Sequence, residues 1–122
     1  MYTLVTDNQE KEELMKGYFI LIRGHMNKAI ENFIRKEGFG IEFMTILFKN
    51  DLDEFEDKEE LQEIEENQVV LLAEYPAAPI DEKFYLTFDE LYNNIERVVH
   101  KNYENDLKLR ESLLELKKSL IA

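Results

Sequence analysis

The 122-residue chain contains no cysteine and no tryptophan, and it has only two prolines, two histidines and four glycines. Without cysteine there is no disulfide, no thiolate nucleophile and no thiolate metal ligand, which is compatible with a reducing compartment. The longest apolar run, Tyr18 to Ile22, is far shorter than the ~20 residues that a membrane span needs. The N-terminal residues also lack the basic and apolar regions of a signal peptide. We therefore expect a cytoplasmic protein that makes no contact with a membrane.

The side chains that usually carry out catalysis are scarce as well. His25 and His100 are far apart in the sequence, and each is expected at the surface or near a helix end. Ser112 and Ser119 fall in a predicted helix, without the glycine-rich turn that exposes a serine nucleophile. A Ser–His–Asp site is therefore not expected.

The motifs for bound ligands are incomplete. Gly38 and Gly40 are not joined by the further glycine, the lysine and the hydroxyl residue that would bind a nucleotide phosphate. A calcium loop beginning at Asp51 would have Phe55 at a ligand position and Glu56 in place of the required glycine. Paired carboxylates are abundant, but they act catalytically only when burial separates their pKa values. We predict no catalytic residue, no metal and no cofactor, and an enzyme with buried carboxylates stays an open alternative.

Negative charge is what the chain has in excess. Its net charge is −12, and residues 51–66 alone contain ten carboxylates and one lysine, which gives that segment a net charge of −9. The other 106 residues therefore carry only −3. Nucleic acid is a poor partner for such a chain, because phosphate binding needs clustered lysine and arginine. A basic protein is a suitable partner.

Four apolar residues are interleaved with the charges of this acidic segment, residues 51–66: Leu52, Phe55, Leu61 and Ile64. One interpretation is a solvated charge run, with Phe55 belonging to the protein's own core. The other is an ordered docking surface for a basic partner, which the apolar residues favour because a purely solvated run does not need them. The candidate partner-binding residues are Asp51, Asp53, Glu54, Phe55, Glu56, Asp57, Glu59, Glu60 and Glu63.

These candidates are expected to have three different roles. Phe55 would be the central apolar anchor, where truncation is most costly. The rim carboxylates, which should govern the association rate and its salt dependence, include Glu59, Glu60 and Glu63. The carboxylates expected to be buried against cations of the partner, and so to govern dissociation, are Asp53, Glu56 and Asp57.

The clearest structural signal runs from Lys83 to Tyr103 and predicts a short strand followed by an amphipathic helix. Thr87, with Glu90 three residues later, forms a capping box at the start of that helix. Apolar residues then recur on one helical face, at Phe88, Leu91, Tyr92, Ile95, Val98, Val99 and Tyr103. This unit fixes where the core must lie.

The remaining pattern predicts an α+β domain over residues 1–122, in the order α-α-β-β-β-α-α, with a small antiparallel sheet of about three strands. The predicted helices cover about 8–23, 25–36, 87–102 and 107–120, and the predicted strands cover 41–48, 68–75 and 83–86. Arg35 and Lys36 are expected in the last turn of the second helix, and Gly38 and Gly40 are expected to end it and turn the chain. Residues 1–6 form either a short strand or a disordered arm. The last helix presents a leucine stripe at Leu109, Leu113, Leu116 and Leu120.

Several short motifs of this sequence occur in the order that is typical of a known family. They are Tyr18-Phe19 in the first helix, the turn Gly38-Phe39-Gly40, Phe48 before the acidic residues 51–55, the helix start at 86–92, and Tyr103 at the end of that helix. In these the chain resembles the immunity proteins of contact-dependent growth inhibition, in the group that neutralises ribonuclease toxins (CdiI type). The region between Phe55 and Val69 is longer and more acidic than the family pattern.

The resemblance implies a non-enzymatic inhibitor that binds a cognate toxin nuclease in the cytoplasm. Separately, we expect a monomer or a weak dimer, since exposed apolar surface on the last helix could support a dimer. A nuclease must attract phosphate, so its active-site face is basic, and an acidic surface suits it. The alternative is an acidic adaptor, or a nucleic-acid mimic that binds a different basic protein.

Overall fold

A computed structural model describes residues 2–121 and confirms the α+β class. In chain order, its elements are β1 (Thr3–Leu4), α1 (Asn8–Ile22), α2 (Met26–Ile34), β2 (Phe39–Ile41), β3 (Met44–Phe48), α3 (Lys58–Glu63), β4 (Gln68–Ala73), β5 (Glu82–Thr87), α4 (Phe88–Asn102) and α5 (Leu107–Ile121). Short 3₁₀ turns follow α1 and β3, at Arg23–His25 and Lys49–Asp51. None of the helices in this part of the chain is long and apolar enough to span a membrane.

The sheet has five strands in the order β1-β5-β4-β3-β2. Its centre is the predicted antiparallel set of three, in which β4 pairs with both β3 and β5. The structure adds a short strand at each edge, with β1 parallel to β5 and β2 antiparallel to β3. The open choice for residues 1–6 is thus settled for Thr3 and Leu4, which form a strand, while Met1 lies outside the described residues.

The strand predicted over 41–48 is confirmed for Met44–Phe48 but wrong at its start, because the chain forms a hairpin there. β2 ends at Ile41, the chain turns at Glu42 and Phe43, and β3 begins at Met44. Glu42 has φ 55°, in the left-handed region that tight hairpin turns use. Glycine or asparagine would have signalled this turn in the sequence, whereas glutamate in an apolar run does not.

The end of the second helix also differs from the prediction. α2 ends at Ile34, so Arg35 and Lys36 lie beyond the helix and not in its last turn. Lys36 has φ 56° and supplies the left-handed residue that turns the chain. Neither Gly38 nor Gly40 has a positive φ, so the expected turning role of the glycines is wrong.

Gly38 and Gly40 are needed for close approach between β2 and β3. A Cβ atom added to Gly38 would lie 2.2 Å from the carbonyl oxygen of Ile46. A Cβ atom added to Gly40 would lie 2.3 Å from Thr45 Oγ1. Both distances are far inside van der Waals contact. A side chain at position 38 would therefore displace the backbone of β3, and one at position 40 would displace the Thr45 side chain.

The main core lies between the sheet and the helices α1, α2, α4 and α5. α5 packs against both α2 and α4, and α1 contacts α4. Phe48 in β3 contacts Phe33 and Phe88, with ring centroids 5.8 and 5.6 Å apart. The leucine stripe predicted for the last helix is confirmed, because all four residues are buried: Leu109, Leu113, Leu116 and Leu120.

Two of the motifs shared with the known family, Tyr18-Phe19 and Gly38-Phe39-Gly40, contact each other in this core. The hydroxyl of Tyr18, a fully buried residue of α1, donates a hydrogen bond of 2.6 Å to the carbonyl oxygen of Phe39 in β2. A buried hydroxyl without a partner would cost about 1–3 kcal/mol, so this bond fixes the helix against the edge strand. These residues therefore have a structural role.

The capping box at the start of α4 is confirmed. Thr87 Oγ1 accepts a hydrogen bond of 3.1 Å from the Glu90 N–H, and Glu90 Oε1 accepts one of 2.9 Å from the Thr87 N–H. We expect Thr87→Ala to lower the free energy of unfolding by ~1 kcal/mol, because one N–H at the helix start loses its partner. Chemical denaturation measures this change. Thr87→Ser, which retains a hydroxyl, should stay close to wild type, and an equal loss in both variants would contradict the capping role.

Candidate functional site

The acidic segment lies over the sheet face opposite the main core. Val70 is in register with Leu47 on one side and Tyr85 on the other, and these residues alternate with those that face the helices. Val70 is fully buried, and Ile64 at the end of α3 is only 3% exposed, yet neither belongs to the main core. The segment therefore covers a second, smaller apolar layer and is an ordered part of the fold.

Charged contacts attach α3 to this face. Lys83 Nζ lies 2.8 Å from Glu60 Oε1 and 3.2 Å from Glu63 Oε2. The Tyr85 hydroxyl donates to both glutamates, at 2.5 Å and 3.0 Å. The Lys83 and Glu60 side chains are only 16% and 17% exposed, so water screens this pair weakly. We call these four residues the clamp, because they fix α3 against β5.

The clamp shifts the pKa values of its members. Burial alone would lower the pKa of Lys83, but the hydrogen bonds to Glu60, Tyr85 and Glu63 outweigh it and raise that pKa above its usual value. Burial raises the pKa of Tyr85, and its hydrogen bonds to the two carboxylates raise it further. At neutral pH Lys83 is therefore charged and Tyr85 is neutral, which are the states that the clamp requires.

The loop that precedes α3 is fixed by its own aspartates. Asp53 Oδ1 accepts hydrogen bonds from the backbone N–H groups of Phe55 and Glu56, at 2.7 and 2.9 Å. Asp57 Oδ2 accepts one of 2.8 Å from the backbone N–H of Asp53. The bonds from Glu56 and Phe55 lower the pKa of Asp53. This is the turn-forming chemistry of aspartate, and it gives the loop a defined shape.

Phe55 is the most exposed large apolar side chain among the described residues, at 87%. Ile64 is buried, and Leu52 and Leu61 are half-buried, so the other three apolar residues of the segment pack against the protein. The interpretation that places Phe55 in the protein's own core is therefore wrong. The segment displays this ring to solvent on a loop of defined shape.

The candidate carboxylates fall into two groups. The members of one group form hydrogen bonds within the protein: Asp51, Asp53, Asp57, Glu60 and Glu63. In this group, Asp51 accepts a hydrogen bond of 2.7 Å from the Phe48 N–H. The other group, which we call the free carboxylates, consists of Glu54, Glu56 and Glu59. These three are exposed, and within residues 2–121 their carboxylates form no ion pair and no hydrogen bond. They lie within four residues of Phe55 in the sequence and are available to a partner.

Lys83 and Tyr85 are the residues of this surface that the sequence did not predict. The alternation of residues in β5 could have indicated them. Phe84 and Leu86 face the main core, so Lys83 and Tyr85 must face the other side of the sheet. That alternation identifies the second face, but it does not identify α3 as the element that covers it.

No metal centre is formed by the described part of the chain, where no group of three or more histidine, aspartate or glutamate side chains is placed to bind an ion. His25 and His100 are exposed and lie on different helical elements. A groove of about 590 Å³ runs between α1 and α4, and Glu12 is the one carboxylate in its lining. The acidic segment lies on the opposite face of the sheet from this groove.

Replacing Lys83 by methionine is expected to lower the free energy of unfolding by about 1–2 kcal/mol, because the mostly buried Glu60 loses its cation. Lys49→Met is the matched control, since its partner Glu66 is 88% exposed and such a pair contributes little. Chemical denaturation of both variants measures the difference. Equal stability of the two variants would show that the clamp does not fix α3.

The clamp also predicts how stability depends on pH. Hydrogen bonds from Tyr85 and Lys83 lower the pKa of Glu63 below its ordinary value of 4.5. Such a carboxylate stabilises the fold above its unfolded pKa, and this contribution is lost as the pH falls through the lower folded pKa. We therefore expect melting temperatures to fall on acidification below about pH 4.5. Lys83→Met should lose less over that range, and parallel profiles for variant and wild type would contradict the assignment.

Comparison with protein-family models matches residues 11–111 to a family described as CDI immunity protein. The matched span includes β2 to β5, α2 to α4 and the whole acidic segment. No curated protein and no solved structure matches the chain.

Proposed function

The chain belongs to the CDI immunity protein family, and on this premise we propose that it binds the nuclease domain of its cognate toxin and covers the basic active-site face with residues 51–66. The toxin is a ribonuclease in this proposal. The chain acts as one domain in the cytoplasm, without enzymatic activity, cofactor or direct contact with RNA.

The exposure of Phe55 supports this proposal most strongly. An exposed apolar residue is ordinary on a protein surface, but this one lies on a loop that three hydrogen bonds hold in a defined shape. The loop also places Glu54 and Glu56 directly beside the ring. An apolar anchor surrounded by unpaired charge of one sign is the composition of an interface centre with a charged rim.

The mechanism is exclusion of substrate. A ribonuclease binds the RNA backbone through cations, and the free carboxylates present to those cations the charge that phosphates would present. Opposite charges also steer the two proteins together, with association rates up to ~10⁸–10⁹ M⁻¹s⁻¹ at low salt. Phe55 would then bury its ring against the toxin and slow dissociation. No bond of the toxin or of RNA needs to be made or broken.

The proposal is tested by RNA cleavage with the nuclease domain of the cognate toxin. We expect cleavage to stop at one immunity protein per toxin domain, and we expect the immunity protein alone to leave the RNA intact. Turnover that copurifies with this chain and disappears on neutralising its carboxylates would contradict the non-enzymatic role. A stable complex that still cleaves RNA at the full rate would contradict coverage of the active site.

A further inference from the structure

The groove between α1 and α4 has an apolar floor. Met15 and Phe19 come from α1 and Val98 comes from α4, and the side chain of Ile20 at its edge is 60% exposed. The Asn94 amide lies 3.8 Å from Met15 Sδ and links the two helices beneath the groove. The groove is therefore a shaped feature of the packed helices, with room for a large apolar side chain.

The rim of this groove is basic, although the protein as a whole has a net charge of −12. Among residues 2–121, the charged side chains that line it are Lys16, Arg23, Arg97 and Lys101, against a single carboxylate from Glu12. All four cations are exposed, and none takes part in an ion pair within residues 2–121. Concentration of unpaired cations around an apolar floor suits an occupant that carries both carboxylates and an apolar side chain.

The acidic segment of the same protein has both features. Phe55 is exposed and the free carboxylates Glu54, Glu56 and Glu59 lie close to it in the chain. The groove and the segment are on opposite faces of the sheet, because α1 and α4 cover one face and α3 covers the other. One copy therefore cannot fill its own groove, and the contact must form between two copies.

We propose that the groove between α1 and α4 receives the acidic segment of a second copy of this chain, with Phe55 on the apolar floor and the free carboxylates against the four cations. The contact joins different surfaces of the two copies, so each pair retains one open groove and one open segment. Nucleic acid is a less suitable occupant, because a phosphate backbone has no apolar group to pack on the apolar floor. The repulsion between two copies of like net charge is screened over ~8 Å at physiological salt, while pairs in contact are screened less.

The experiment is sedimentation of the purified full chain over micromolar to millimolar concentrations, compared with two defective variants. Arg97→Glu with Lys101→Glu removes the groove, and Phe55→Ala removes the anchor. Each variant alone should associate at least ~30-fold more weakly than wild type, as for loss of an interface hot spot. Mixed together, the two variants should form pairs that stop at the dimer, because one intact groove meets one intact segment.

That recovery on mixing distinguishes this contact from a symmetric dimer. Leu114→Ala is the matched control, since Leu114 on α5 is 61% exposed and lies outside the groove, and it should leave association unchanged. A wild-type protein that stays monomeric, variants that do not recover on mixing, or association lost with Leu114→Ala would each overturn the proposal. Binding of RNA that the groove variant abolishes would overturn it too, because it identifies another occupant.

No toxin is present in this experiment, so its failure leaves the proposed function standing. If both proposals hold, adding the toxin domain should dissolve the self-association, because both contacts use Phe55. If the toxin binds the chain and the self-association persists, the toxin contacts a different surface. That result would contradict the proposed toxin contact but not the self-contact.

Discussion

Phe55→Ala is expected to weaken binding of the proposed partner, the nuclease domain of the cognate toxin, by about 2–4 kcal/mol, which is a factor of roughly 30 to 1,000 in Kd. The ring is 87% exposed in the free protein, so its removal should change the free energy of unfolding by less than ~0.5 kcal/mol. Calorimetric titration gives the affinity, and denaturation of the same samples gives the stability. A large loss of binding without a loss of stability is the expected result.

Phe43→Ala is the matched control for this variant. Phe43 is also an exposed phenylalanine, at 48%, but it lies in the turn between β2 and β3, while Phe55 follows the other end of β3. Its removal should leave toxin affinity unchanged. If Phe43→Ala and Phe55→Ala weaken binding equally, or if Phe55→Ala lowers stability as much as affinity, Phe55 is not the anchor.

The second large effect is expected on the rate of association. Neutralising Glu54, Glu56 and Glu59 together, each as Glu→Gln, should lower the association rate constant by about 10- to 100-fold at low salt and flatten its salt dependence. These carboxylates make no bond within the described residues, so the loop and its stability should be preserved. Stopped-flow mixing at two salt concentrations measures the rate.

The control for this variant carries the same change in net charge at another place. Glu104, Glu111 and Glu115 are exposed and lie on or just before α5, outside the acidic segment. Their replacement by glutamine should lower the association rate only slightly, because it removes charge outside the proposed docking surface. Equal effects of the two triple variants would mean that only the overall net charge of the protein matters.

The structure also decides which carboxylates make a clean test. Asp53 and Asp57 were assigned by the sequence to cations of the partner, and that assignment stays a prediction. Both now also bond to the backbone of their own loop, so Asp→Asn variants at these positions would disturb the loop and the interface together. Glu56, the third member of that set, has a free carboxylate and separates the two effects.

Local signals in the sequence were sufficient to place the four longer helices, α1, α2, α4 and α5, although not the end of α2. The Thr87–Glu90 capping box and the leucine stripe of α5 depend on residues within a few positions of one another, and both are confirmed. The three central strands were also predicted, because runs such as Val69 to Leu72 are too apolar and too short for anything else. In these places local preference and tertiary packing agree.

The features that the sequence missed or left open depend on contacts between distant parts of the chain. The edge strands β1 and β2 exist only because β5 and β3 offer them hydrogen bonds. The clamp joins Glu60 to Lys83, which are 23 residues apart, and no local pattern pairs them. Phe55 is exposed because the other apolar residues of the acidic segment pack against the protein in its place, and the tertiary structure determines which of them do so.

In the proposed mechanism the acidic segment and RNA occupy the same face of the toxin, so the two should compete for it. The measurement is the apparent Kd of the toxin domain for a non-cleavable RNA at increasing concentrations of this protein. If the two ligands exclude each other, the apparent Kd rises in proportion to the immunity protein without limit, and Phe55→Ala shifts the curve to higher concentration. If the apparent Kd instead reaches a plateau, toxin, RNA and immunity protein form one ternary complex. That result would show that the acidic segment and RNA bind different faces of the toxin.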